Sequence, residues 1–64
     1  MCKIGILFLD REFEHDIYEL IRAFYPESEI HSFYEKEEEG CDLYFRIEKQ
    51  GDTCVIRYED HDNK

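Results

Sequence analysis

Three cysteines (Cys2, Cys41, Cys54) and three histidines (His15, His31, His61) are the residues of this sequence best suited to hold a metal ion. Structural zinc sites place ligand pairs a few residues apart, as in C-x-x-C, so that one turn of chain aims both at the ion. Here Cys41 and Cys54 are 13 positions apart and Cys2 stands at the extreme N-terminus. That spacing predicts ordinary buried thiols rather than a metal site. Nucleophilic chemistry has equally little to work with. Ser28 and Ser32 are the only serines, and neither sits on a glycine-flanked strand-to-helix elbow. His15 falls on a polar helix face, and nothing in the spacing positions a Cys-His pair. Carboxylates are abundant: Glu12 and Asp16 are i, i+4, and Asp16 and Glu19 are i, i+3. On an exposed helix such groups are solvated and partly balanced by Arg11 and Arg22. General acid/base work requires a cleft that shifts a pKa, and 64 residues build little of one. The glycines, Gly5, Gly40 and Gly51, are scattered, which excludes a phosphate-cradling loop. The residue types therefore predict no catalytic group, no metal site and no cofactor within this chain.

The elements that would position these residues follow from periodicity. Lys3 to Leu9 reads as a strand with apolar side chains on both faces (Ile4, Ile6 and Phe8 against Gly5, Leu7 and Leu9), a pattern suited to an interior strand able to pair in parallel. A helix is predicted from Arg11 or Glu12 to Tyr25, with Asp10 as N-cap. Its apolar stripe is Phe13, Ile17, Leu20, Ile21 and Phe24, and Glu12, His15, Asp16, Glu19 and Arg22 form the opposite side. Pro26 ends it, because the residue before a proline resists helical geometry. Glu29 to Tyr34 is a second strand of ambiguous facing, since Ile30 and Phe33 have opposite parity. The run Glu35–Glu39 reads as a solvated loop, or as a docking site for a basic partner. Cys41 to Lys49 alternates cleanly, with Leu43, Phe45 and Ile47 inward and Tyr44, Arg46 and Glu48 outward. Gln50-Gly51-Asp52 is a hairpin turn, and Thr53 to Tyr58 returns as the fourth strand. Residues 1–58 are thus expected to form one domain, and the polar tail 59–64 is expected to fray or to begin a linker.

Composition narrows the partners. Seventeen acidic residues against eight basic ones give a net charge of −9, which disfavours nucleic acid and anionic membranes. No apolar run approaches the roughly 20 residues of a membrane span, and the opening apolar run is too short for an export signal. Unpaired cysteines fit a reducing cytosol. With 42% hydrophobic and 16% aromatic residues the chain has the means to fold.

The predicted fold is α+β in the order β-α-β-β-β: one amphipathic helix packed on one face of a small, mostly antiparallel four-stranded sheet. One helix covers one face. The other face is expected to present Leu7, Leu9, Phe33, Tyr44 and Val55 as an interaction surface. Tyr18 and Tyr25, i, i+7 on the helix, flank the stripe either as core edge residues or as contact residues.

The segment Glu14-His15-Asp16-Ile17-Tyr18-Glu19-Leu20-Ile21-Arg22-Ala23-Phe24-Tyr25-Pro26, preceded by a strand and followed by Cys41-Asp42-Leu43-Tyr44-Phe45, resembles the N-terminal leader domain of radical-SAM, oxygen-independent coproporphyrinogen III dehydrogenase-like proteins of haem biosynthesis. In that family a C-x-x-x-C-x-x-C motif in a downstream barrel carries the iron–sulfur chemistry. Cys2, Cys41 and Cys54 do not map onto that motif, so no catalytic residue carries over. The resemblance implies a non-catalytic accessory domain docked on a larger catalytic one. The alternative is a free-standing acidic module that binds a partner protein or homodimerises.

Overall fold

The computed structural model describes residues 2–60, together with the side chains of residues 2–59. Of the expected tail 59–64, Glu59 and Asp60 belong to a strand, and 61–64, His61 among them, lie outside the described residues. The elements are β1 (Lys3–Phe8), α1 (Glu14–Phe24), β2 (Glu29–Phe33), β3 (Leu43–Gln50) and β4 (Thr53–Asp60). The α+β class and the element order are as the sequence predicts, but the sheet is mixed rather than mostly antiparallel. Its order is β2-β1-β3-β4. β1 pairs in parallel with both β2 and β3, and only β3 and β4 are antiparallel.

Parallel pairing follows from the two crossovers. The helix carries the chain from the end of β1 back to the start of β2, and residues 34–42 carry it from β2 across β1 to β3. Burial of β1 on both faces is the outcome: Ile4 and Ile6 are inaccessible, and Leu7 and Phe8 nearly so. The core is Ile4, Ile6 and Phe8 of β1, Ile17 and Ile21 of α1, and Leu43 and Ile47 of β3. Each such side chain stabilises the fold by about 1.5–3 kcal/mol relative to exposure.

The helix is shorter than its apolar stripe. Asp10 is not the N-cap: its carboxylate accepts the Glu12 amide at 2.8 Å and holds the turn ahead of the helix. Phe13 occupies the cap position with no side-chain cap bond, its carbonyl accepting the Ile17 amide at 2.9 Å. Glu14 and Asp16 in the first turn and Arg22 in the last suit the helix dipole. Tyr25, with ψ at 66°, has left the helical region as a residue before proline must.

β4 runs two residues further than its sequence pattern, because Glu59 and Asp60 lie opposite Tyr44 and Leu43 and continue the ladder. β3 begins at Leu43 rather than Cys41. Asp42 is occupied with β1, its amide donating to the Lys3 carbonyl (2.8 Å) and its carboxylate accepting the Lys3 amide (3.0 Å). The hairpin turns through Gly51 and Asp52, with Gly51 at a φ of 63°. A positive φ at the first turn residue is where a tight hairpin needs glycine.

Candidate functional site

The two faces of the sheet are not as the alternation suggested. Over β1, the face opposite the helix is closed by the 34–42 crossover. Phe33, Cys41 and Tyr44 crowd the space above Gly5, and the Tyr44 hydroxyl donates to the Glu38 carbonyl at 2.6 Å while accepting the Cys41 amide at 3.2 Å. Leu7 and Tyr44 are therefore buried, Phe33 and Val55 are half-buried, and only Leu9 of that expected set is exposed. Toward β4 the same face is charged. Arg46 and Arg57 are cross-strand neighbours, Arg57 pairs with Glu48 at 3.2 Å, and Glu37 and Glu59 stand beside them. The apolar surface expected there is not open.

The open apolar surface lies on the helix side instead. Register places Phe45 opposite Tyr58 and Ile47 opposite Ile56, with all four side chains on the face of the core. A helix about 10 Å wide cannot cover four strands spaced about 4.8 Å apart. Ile47 lies under α1 and is fully buried, whereas its neighbour Ile56 is 44% exposed and Tyr58 72% exposed. The Phe45 ring packs at 6.3 Å from Tyr58 and 6.5 Å from Tyr25, both tilted, so three aromatic side chains from β3, β4 and the helix terminus form one cluster.

Two contacts fix which flank of α1 faces this surface. Glu14 accepts a hydrogen bond from Tyr34, just beyond β2, and Glu12 is ion-paired with Lys49 at the end of β3. The flank of α1 away from Glu14, which carries Asp16 and Leu20 at i, i+4, therefore looks toward β3 and β4. Leu20 and Phe24, both part of the apolar stripe, remain exposed. The helix has a charge asymmetry that matches. Arg11 lies over the Tyr34 ring at 4.4 Å and Arg22 stands beside Tyr18 and Ile30, both on the β2 side. The β4-facing flank carries Asp16, with Glu19 near the crest and the Lys49-paired Glu12 just ahead of the helix.

Of the seven residues expected at an interaction surface, the structure brings only Tyr25 into this patch. Tyr18 is half-buried against the core on the opposite flank. Phe45, Ile56, Tyr58, Leu20 and Phe24 were not singled out as contact residues. The signal that could have found them is that Phe45, Ile56 and Tyr58 share one face of a hairpin in a four-stranded sheet too wide for a single helix.

Glu14, Tyr34 and Arg11 form one structural contact. The Glu14 carboxyl is held below its usual value, first by the Tyr34 hydroxyl and then by the Arg11 guanidinium, and Tyr34 is raised in return by Glu14. A stabilised carboxylate is a weak base, and a phenol tied to it is slow to ionise. These three side chains, with Tyr34 stacked on Phe8 at 6.1 Å, clamp the start of the helix to the end of β2. Burial pushes the Cys41 thiol up. Among the described residues no three His, Cys, Asp or Glu side chains converge as metal ligands would. No helix there is long and apolar enough to cross a membrane. In comparisons with protein-family models, curated proteins and solved structures, the chain matches none.

Proposed function

We propose that this chain is a non-catalytic protein-docking domain whose contact surface is the uncovered helix-side face of β3 and β4. The observation that carries this reading is the exposed apolar set at that face: Ile56 and Tyr58 beside Phe45, with Leu20, Phe24 and Tyr25 on the adjoining helix and its cap. A domain with so small a core gains nothing by leaving these side chains wet, and apolar patches of this kind mark contact surfaces. In this reading the chain brings no cofactor of its own, works in the cytosol, and has a protein as partner. The resemblance of the Glu14–Pro26 segment extends the proposal to a downstream radical-SAM catalytic domain as the surface that is docked. The intact mass of the endogenous polypeptide tests that extension. A product much larger than 7.9 kDa with a cysteine cluster motif supports it, and a product ending at Lys64 sinks it.

The docking surface itself is tested by site-specific photo-crosslinking in cells. A crosslinking amino acid at position 58 should trap a discrete protein adduct, whereas one at position 57, on the charged face, should not. Equal trapping from both positions, or from neither, removes the reading.

A further inference from the structure

We propose that the occupant of this surface is an amphipathic α-helix with a Lys/Arg-bearing edge, which lies beside α1 and completes a second layer over β3 and β4. The inference rests on the docking reading above and names its partner. Geometry supplies the first argument. α1 sits over β1, braced by Glu14 toward β2 and by Glu12 toward β3. β4 lies two strand spacings away, about 9.6 Å, and packed helices sit about 8–10 Å axis to axis. One helix therefore fits beside α1 over the edge strand β4, its apolar face over Phe45, Ile56 and Tyr58 and its side against Leu20 and Phe24. A strand added to the edge of β4 would leave those side chains uncovered.

Charge supplies the second argument. The α1 flank beside the vacant layer carries Asp16 and, near the crest, Glu19, and Arg11 and Arg22 lie on the other side. Lys49, the cation nearby, is already paired with Glu12. A second copy of this chain, at a net charge of −9, would bring the same acids to face these. A partner with Lys or Arg along one edge is attracted instead, and its association weakens with salt.

The probe is a synthetic Leu/Lys amphipathic helix of about five turns, compared with a sequence-scrambled peptide of the same composition and a Leu/Glu peptide with the same apolar face. Binding is followed by amide chemical shifts of the full chain. The Leu/Lys helix should perturb Leu20, Phe45, Ile56 and Tyr58 and bind more tightly than either control. The double variant Asp16→Lys/Glu19→Lys, checked for an unchanged fold by its spectrum, should weaken it about threefold to tenfold, the scale of two exposed ion pairs. Glu37→Lys/Glu38→Lys, in the crossover loop, should change it little. Equal binding of the scrambled peptide, or perturbation centred on the crossover loop, would reduce the effect to nonspecific charge and overturn the inference. So would equal binding of the Leu/Glu helix. If no probe binds while position 58 still traps a partner in cells, the helix is the wrong occupant and the docking surface stands. If position 58 also traps nothing, both readings fall.

Discussion

Replacing Gly5 with alanine tests whether the second face of the sheet is covered as closely as its contacts indicate. A methyl group there would stand 2.7 Å from Phe33 Cε2, 3.0 Å from Cys41 Sγ and 3.2 Å from Tyr44 Cδ1. Carbon atoms prefer about 3.5–4.0 Å, so the Phe33 ring must retreat by roughly 1 Å, and Cys41 and Tyr44 must shift a few tenths. Overpacking of this kind costs about 1–3 kcal/mol. Gly5 has no positive φ, so alanine fits the backbone and recovers about 0.4–1 kcal/mol by restricting the unfolded chain. The expected net loss spans about 0–2.6 kcal/mol and centres on about 1.3 kcal/mol, against a total of about 3–10 kcal/mol for 64 residues. Urea unfolding of Gly5→Ala followed by circular dichroism should show a lower midpoint at unchanged slope. Phe33→Leu, which removes the nearest ring edge, should destabilise the wild type but restore part of the loss in the Gly5→Ala background. A Phe33→Leu effect identical in both backgrounds would refute the close covering of that face.

Three further outcomes are expected. Ile47→Ala should lose about 2–5 kcal/mol, whereas Ile56→Ala, its cross-strand neighbour beyond the helix, should lose less than about 1 kcal/mol; equal losses by denaturant titration would mean that α1 covers both strands. Because the Glu14 carboxyl is depressed in the folded chain, its contribution is fully present above its unfolded value and is lost as pH falls through the folded one. The stability gap between wild type and Tyr34→Phe should therefore narrow on acidification below pH 4.5, and a gap that widens there would contradict the clamp. Cys41, buried and with its thiol raised, should be alkylated by iodoacetamide more slowly than half-buried Cys2 and Cys54, read out by peptide mass spectrometry; equal rates would show that the crossover loop opens freely.

Elements with a local cause were legible in the sequence. The Phe13–Phe24 stripe and Pro26 announced a helix, and Gly51-Asp52 between alternating runs announced the hairpin. What depended on neighbours was not. Two-sided apolarity in Lys3–Leu9 signals an interior strand but says nothing about the direction of the strands beside it. Leu7 and Tyr44 read as outward residues by parity, and so they are, but the Glu35–Glu39 loop passes over them. Leu20 and Phe24 read as core by spacing, yet their burial depends on how far the sheet extends beneath them. The exposed apolar surface was misplaced for that reason: alternation assigns a residue to a face, and only tertiary placement of the helix and the loop decides which face stays wet.

The central position of β1 also bears on the order in which the domain is made. β1 is the first strand to leave the ribosome, yet both of its ladders are parallel and close only after α1 and residues 34–42 have been synthesised. The β3–β4 hairpin, with its two-residue turn, assembles from sequence neighbours and follows the other elements. Local pairings form fast and long closures slowly. A chain emerging N-terminus first therefore carries an apolar, half-paired segment from Ile4 to Phe8 until β3 has followed it, a surface open to association in that interval.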